Sequence, residues 1–187
     1  MILYILLFIC IRYAYIYYKT EKYLKHFLVN HHDSLGRHGP VCPFMPIAYK
    51  NNTLRIYYYP FIFDKHSIEN IVKRNFLTIK PRSIYKACVL VFPDASTNNI
   101  IYVQEKLKDM IVSEGFMIGE FYPNHSQSGL HNKDFFPLDT YVPMIALRSM
   151  VRGDKLFLDS DKYTSSSRKT FMDYYYKYFS NPNKIFK

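Results

Sequence analysis

The chain has 187 residues, 49% of them apolar and 21% charged, which suits one hydrophobic core and excludes a disordered or acidic-activator sequence. Three cysteines with no Cys-x-x-Cys pair exclude a disulfide-stapled mini-domain and a zinc ribbon. The net charge is +10, yet residues 87–147 are net acidic and no finger, helix-turn-helix or RNP-like motif occurs, so specific nucleic-acid binding is not expected.

Residues 1–11 form an unbroken apolar run, and Arg12 is the only charge before Lys19. No Lys or Arg precedes the run and no small-x-small site follows it, which argues against a cleavable signal peptide. Residues 1–18 are read as an apolar head with three open roles: membrane anchor, helix docked on the domain, or mis-assigned start. Residues 19–187 are read as a single globular domain. As an anchor, the head would leave Arg12, Lys19, Lys22 and Lys25 on the cytoplasmic side. The expected location is therefore cytoplasmic, with membrane association through the head. Tyr13, Ile16, Tyr17, Leu24, Phe27 and Leu28 keep helical spacing and predict a helix over roughly 13–29.

Residues 54–59 are β-branched and aromatic and predict a strand stopped by Pro60. Ser67 is placed to cap a helix presenting Ile68, Ile71, Val72 and Phe76, and Pro81 closes the connection. The apolar run 87–92 predicts a central strand covered on both faces. Asn98 or Asn99 is the expected cap of the next helix, with the stripe Ile100, Val103, Leu107, Met110 and Ile111 and a left-handed stop at Gly115. Strands are expected at 116–121 and 142–147, and a last helix at 168–179 turning Phe171, Tyr174, Tyr175, Tyr178 and Phe179 inward. The order αβαβαββα predicts one α+β or α/β sandwich with a mixed sheet of about four strands.

Two loops, 31–46 and 122–141, carry the chemistry-bearing side chains. The first holds His31, His32, Arg37, His38 and Cys42 among Gly36, Gly39, Pro40, Pro43 and Pro46. It reads either as a site, with Cys42 the nucleophile and His32 its base, or as a rigid turn around a small buried thiol. Zinc is not expected there, because a second close pair of ligands is missing. Cys10 and Cys88 are expected to be inert. Glu120 is a lone carboxylate in an apolar strand and needs a partner. Arg148, ending the last strand, is the expected one, with Arg37 second; the pair is read either as substrate-contacting or as a buried tie between strands.

The block Leu35-Gly36-Arg37-x-Gly39-Pro40-Val41-Cys42-Pro43-Phe44, with Gly119-Glu120-Phe121 and Val142-Pro143-Met144 followed by Arg148, resembles the bacterial domain-of-unknown-function family 6875 over about residues 24–160. The resemblance implies no activity. Family members usually have His-Pro after Gly-Glu-Phe and Arg-His later, where this chain has Tyr122-Pro123 and Arg148-Ser149. A more distant similarity is to YqcI/YcgG-type haem proteins that oxidise nitrogen, and it implies haem as cofactor, with Tyr122 or His32 facing the metal. The leading expectation is a small-molecule enzyme of specialised metabolism, haem-dependent and oxygenase-like under that likeness. Glu120, Tyr122 and Cys42 are its catalytic candidates, and Arg37, Arg148 and His32 its substrate-binding ones. The alternative is a non-catalytic binding domain or membrane-tethered accessory domain.

Overall fold

The computed structural model of the protein describes residues 2–79 and 85–180. Helix α1 spans Ile2–Lys22 and runs into a π-helical turn, Tyr23–Phe27; α2 is Phe44–Lys50, β1 Leu54–Tyr58, α3 Lys65–Ile79 and β2 Ala87–Val91. Then follow α4 at Thr97–Ser113, β3 at Phe116–Phe121, β4 at Met144–Ser149, α5 at Lys155–Leu158 and α6 at Ser165–Phe179. Every residue of β2 is buried, so this strand has no face to give to water and sits inside the sheet. The order is β1-β2-β4-β3, with β1 parallel to β2 and β4 antiparallel to both its neighbours. The result is the expected single α+β domain around a mixed four-stranded sheet, with α2 and α5 as short additions.

Alternation along the strands divides the core in two. Cys88, Leu90, Phe116, Ile118, Ile145 and Leu147 point to the face covered by Ile68, Val72 and Phe76 of α3 and Ile100, Val103 and Leu107 of α4. Val89, Val91 and Met144 point to the other face, where Ile16, Leu24, Leu28 and Met45 close over them. Ile16, Thr20, Leu24 and Leu28 are all buried at intervals of four. In a regular α-helix such positions drift by roughly 40° per step. The wider π turn, closed by Leu28 N–H on the Tyr23 carbonyl at 3.0 Å, offsets that drift and keeps Leu28 against the sheet. This is why the predicted helix over 13–29 ends its α portion at Lys22.

Several boundaries differ from expectation. The last strand begins at Met144 rather than 142, because Pro143 has no N–H to give a ladder and offers its carbonyl to Phe92 N–H instead, at 2.9 Å. Ser96, not Asn98 or Asn99, caps α4, its Oγ accepting the Asn99 N–H at 3.3 Å. Asp64 accepts the Ser67 N–H at 2.9 Å, so Ser67 lies within the first turn of α3 and does not cap it. Met110 is exposed, and the α4 stripe takes in Gln104, buried with its amide on the Ile118 carbonyl. Gly115 does stop α4, at φ +77° with the Tyr178 ring where a Cβ would stand. In α6, Phe171 and Tyr175 are buried while Tyr174, Tyr178 and Phe179 are half-buried. The stop expected at Pro81 lies outside the described residues. Among the described residues no helix is long and apolar enough to cross a membrane.

Candidate functional site

Glu120 sits at the end of β3, an edge strand, on the face shared with α4. The strand then breaks at Pro123 and Asn124, the latter at φ 62° with its N–H on Asp139 Oδ1 at 2.8 Å. This turn folds His125 back so that its ring stacks on Tyr122, centroids 4.2 Å apart. His125 is 5% exposed. Its Nδ1 accepts the Gln127 N–H at 3.1 Å, which places the proton of the neutral ring on Nε2. That Nε2 is buried without a hydrogen-bond partner among the described residues and stands 3.9 Å from Glu120 Oε1.

Two lysines and a tyrosine complete the cluster. Lys108, one turn beyond Gln104 on α4, gives a hydrogen bond to Tyr163 Oη. Its Nζ lies 4.3 Å from the Tyr163 ring centroid and 5.7 Å from that of Phe171. Burial, reinforced by the charge of Lys162, pulls its amine down to about 8 against the opposing pull of Glu120 and Glu105. Burial likewise lifts the Glu120 carboxyl above its ordinary range, although Lys162 and Lys108 oppose the shift. Burial and Lys162 push the His125 imidazole down, and burial with the Glu120 charge raises Tyr163 to about 12. The carboxyl is thus pushed up and the imidazole down, directions that favour passing a proton between them.

Arg148 does not join this cluster. It pairs in register with Met117 while Glu120 pairs with Ile145, so alternation sends the two side chains to opposite faces of the sheet. Arg148 instead gives two hydrogen bonds to Asp154, at 2.7 and 2.6 Å, and its guanidinium lies over the Phe44 ring at 5.1 Å. Asp154, nearly fully buried, also accepts the Val151 N–H at 2.7 Å. Burial alone would lower the Arg148 pKa, but Asp154 and the neighbouring Cys42 raise it. The expected tie between Glu120 and Arg148 is therefore replaced by one between Arg148 and Asp154. Arg37, the second candidate, gives its guanidinium to the carbonyls of His38, Pro40 and Val41 at 2.9, 2.8 and 3.2 Å and so locks its own turn.

Cys42 packs within the apolar clusters around Met45 and Phe44; its N–H bonds the Leu28 carbonyl at 2.9 Å. His32 caps a short 3-10 turn, Asp33–Leu35, by accepting the Ser34 N–H, and stacks on Phe135 at 5.0 Å. No hydrogen bond joins Cys42 to His32 among the described residues; the imidazole accepts from Ser34 instead. The two long loops instead interlock. Asn132 bonds the Ser34 carbonyl at 2.8 Å, and Gly36, at φ +75°, lies where a Cβ would meet His131 O at 2.8 Å.

His32 and Tyr122, the alternative haem ligands, are too far apart in the fold to serve one haem together. His32 packs on Phe27 and Phe135 beside the α1 face, whereas Tyr122 packs against the α3 and α4 face. Burial and the Glu120 charge raise the Tyr122 hydroxyl above its ordinary value, which opposes the phenolate that iron would need. Among the described residues no group of three His, Cys, Asp or Glu side chains is placed to hold a metal ion.

Sequence reading identified Glu120 and Tyr122 but missed His125, Lys108, Lys162 and Tyr163. The available signals were a histidine just past the strand in a loop already marked, and a lysine one turn after Gln104 at the edge of an apolar stripe. A family model described as "Domain of unknown function (DUF6875)" matches residues 17–185. No curated protein and no solved structure matches the chain, and the more distant likeness to nitrogen-oxidising haem proteins gains no support from these comparisons.

Proposed function

We propose that this chain, which belongs to the DUF6875 family, is a small-molecule enzyme that works by acid–base catalysis at the Glu120–His125 pair. One observation carries the reading: a buried imidazole N–H without a hydrogen-bond partner among the described residues, 3.9 Å from a carboxylate. A buried donor left unpaired costs stability, and perturbed ionisable groups gathered at a strand end beside it mark a candidate site. The substrate bridges Nε2 and Oε1 through one polar atom. Glu120 and His125 exchange its proton, and Lys108 and Lys162 hold an anionic group, a carboxylate or phosphate, at the same edge. Tyr122 keeps the His125 ring oriented by stacking and acts as a positioning residue. The reaction class is proton transfer on a small anionic substrate in the cytoplasm.

The test is a screen of small carboxylates, amino acids and phosphate esters, read by NMR shifts of the His125 ring. A genuine substrate or product analogue moves the His125 Nε2 and Hε1 signals, and its affinity falls at least about tenfold in Glu120→Gln. A screen in which no anionic compound moves His125, or one whose hits bind Glu120→Gln unchanged, overturns the assignment.

A further inference from the structure

Among the described residues, the side-chain hydrogen bonds that fasten helix α1 to the domain begin at Arg12. Asp94, just past β2, accepts hydrogen bonds from Arg12 Nη1 and Tyr13 Oη, both at 2.7 Å, and from the Phe61 N–H at 2.8 Å. Before that clamp the described side chains from Leu3 to Ile11 are exposed, apart from the half-buried Ile9. Leu3 is 77% exposed and Phe8 70%, with Leu6, Leu7 and Ile11 more than half exposed. These positions, with Tyr4 at 78% and Ile5 at 52%, leave exposed apolar side chains on most of the helix circumference, Ile9 facing the same way as Ile16. A helix that docks in a protein groove gives one apolar face to the groove and keeps a polar one for water. This segment has no polar face, and hydrocarbon is the surrounding that covers all sides at once. Its ten described residues, 2–11, rise about 15 Å, the depth of one leaflet.

The base of the segment carries a second feature that identifies the surrounding. Tyr13 packs edge-on against Phe61 at 5.6 Å and Tyr15 against Tyr141 at 5.2 Å, and Phe61 and Tyr141 are both more than half exposed. Lys19 Nζ lies 5.3 Å from the Tyr15 ring and 5.8 Å from that of Tyr141. The acidic groups nearby are already engaged, Asp94 by Arg12 and Glu21 by Lys25, which leaves the collar cationic. Aromatic rings and snorkelling cations at one level are the composition of a membrane–water interface. We propose that α1 inserts into one leaflet of an anionic bilayer, with this collar at the headgroups holding the domain on the membrane surface. The inference is independent of the acid–base reading.

Flotation of the full chain with phosphatidylcholine–phosphatidylglycerol vesicles (roughly 3:1) tests it. The chain floats with these vesicles, and the exposed-site double variant Leu6→Asp/Phe8→Asp, its fold checked by circular dichroism, loses at least about tenfold in partitioning. The protein has no tryptophan, so Leu7→Trp gives a clean reporter whose emission shifts to the blue and is quenched by brominated lipid tails. Failure to float, undiminished flotation of the double variant, or an unquenched reporter overturns the proposal. So does a lipid-independent dimer that the double variant dissolves while vesicles bind neither form.

Discussion

Arg148 and Glu120 are separated by parity, and the consequence is measurable. Arg148 spends its charge on Asp154, whose side chain is 2% exposed and holds the Val151 turn as well. Asp154→Asn leaves a largely buried guanidinium without its counter-charge and costs about 3 kcal/mol in urea unfolding. A double-mutant cycle between Glu120→Gln and Arg148→Met gives coupling within about 0.5 kcal/mol of zero, as expected of side chains on opposite faces without a shared partner. Coupling above that range would place the two charges in one network after all. The sequence showed that each charge needed a partner but not which one, because a shift of one residue in register exchanges the faces. His125 stayed hidden for a related reason. Its importance comes from a turn at Pro123 and Asn124 that brings it back onto Tyr122, and no spacing rule announces that contact.

At the level of elements, hydrophobic period and turn chemistry made the strands and long helices legible, since burial against a sheet imposes those patterns directly. Less legible were the caps, where Ser96 and Asp64 compete with nearby polar residues, and the π turn that keeps Leu28 on the core. Helix α1 is not one unit: Leu3 to Phe8 are exposed, while Ile16 is 3% exposed and Arg12 and Tyr13 clamp Asp94. Removing residues 1–11 therefore changes unfolding free energy by less than about 0.5 kcal/mol, whereas removing 1–18 also deletes Ile16 and the clamp and costs about 3 kcal/mol or more. Equal stability of the two truncations would show that the clamp carries nothing. Helices α3 and α4 are tied by Glu69, which accepts from Lys73 and Lys106 at 2.7 and 2.8 Å. Those partners lower its carboxyl to about 2 from an ordinary 4.5. A carboxylate with a depressed folded pKa stabilises above the ordinary value and loses that contribution as pH falls through the folded one. Acid titration should thus show wild type losing stability relative to Glu69→Gln between about pH 4.5 and 2; parallel curves across that window would contradict the tie.

Taken as a whole, the molecule closes one face of its sheet with α3 and α4 and the other with α1, α2 and the interlocked loops, and gathers Glu120, His125 and Lys108 at the end of the edge strand β3. The two long loops divide accordingly: 31–46 is held by Arg37 on its own carbonyls and by the close approach at Gly36, while the start of 122–141 brings His125 beside Glu120. The site requires Lys108 and Glu120 to share one partly desolvated environment. The most direct measurement is a pH titration of the lysine ε-carbon resonances by NMR, with Lys108 assigned by its loss in Lys108→Arg. The Lys108 midpoint should fall at about 8. It should move lower still in Glu120→Gln, because the carboxylate's charge favours the ammonium form. A midpoint at the ordinary lysine value of 10.5, unmoved by Glu120→Gln, would contradict the site.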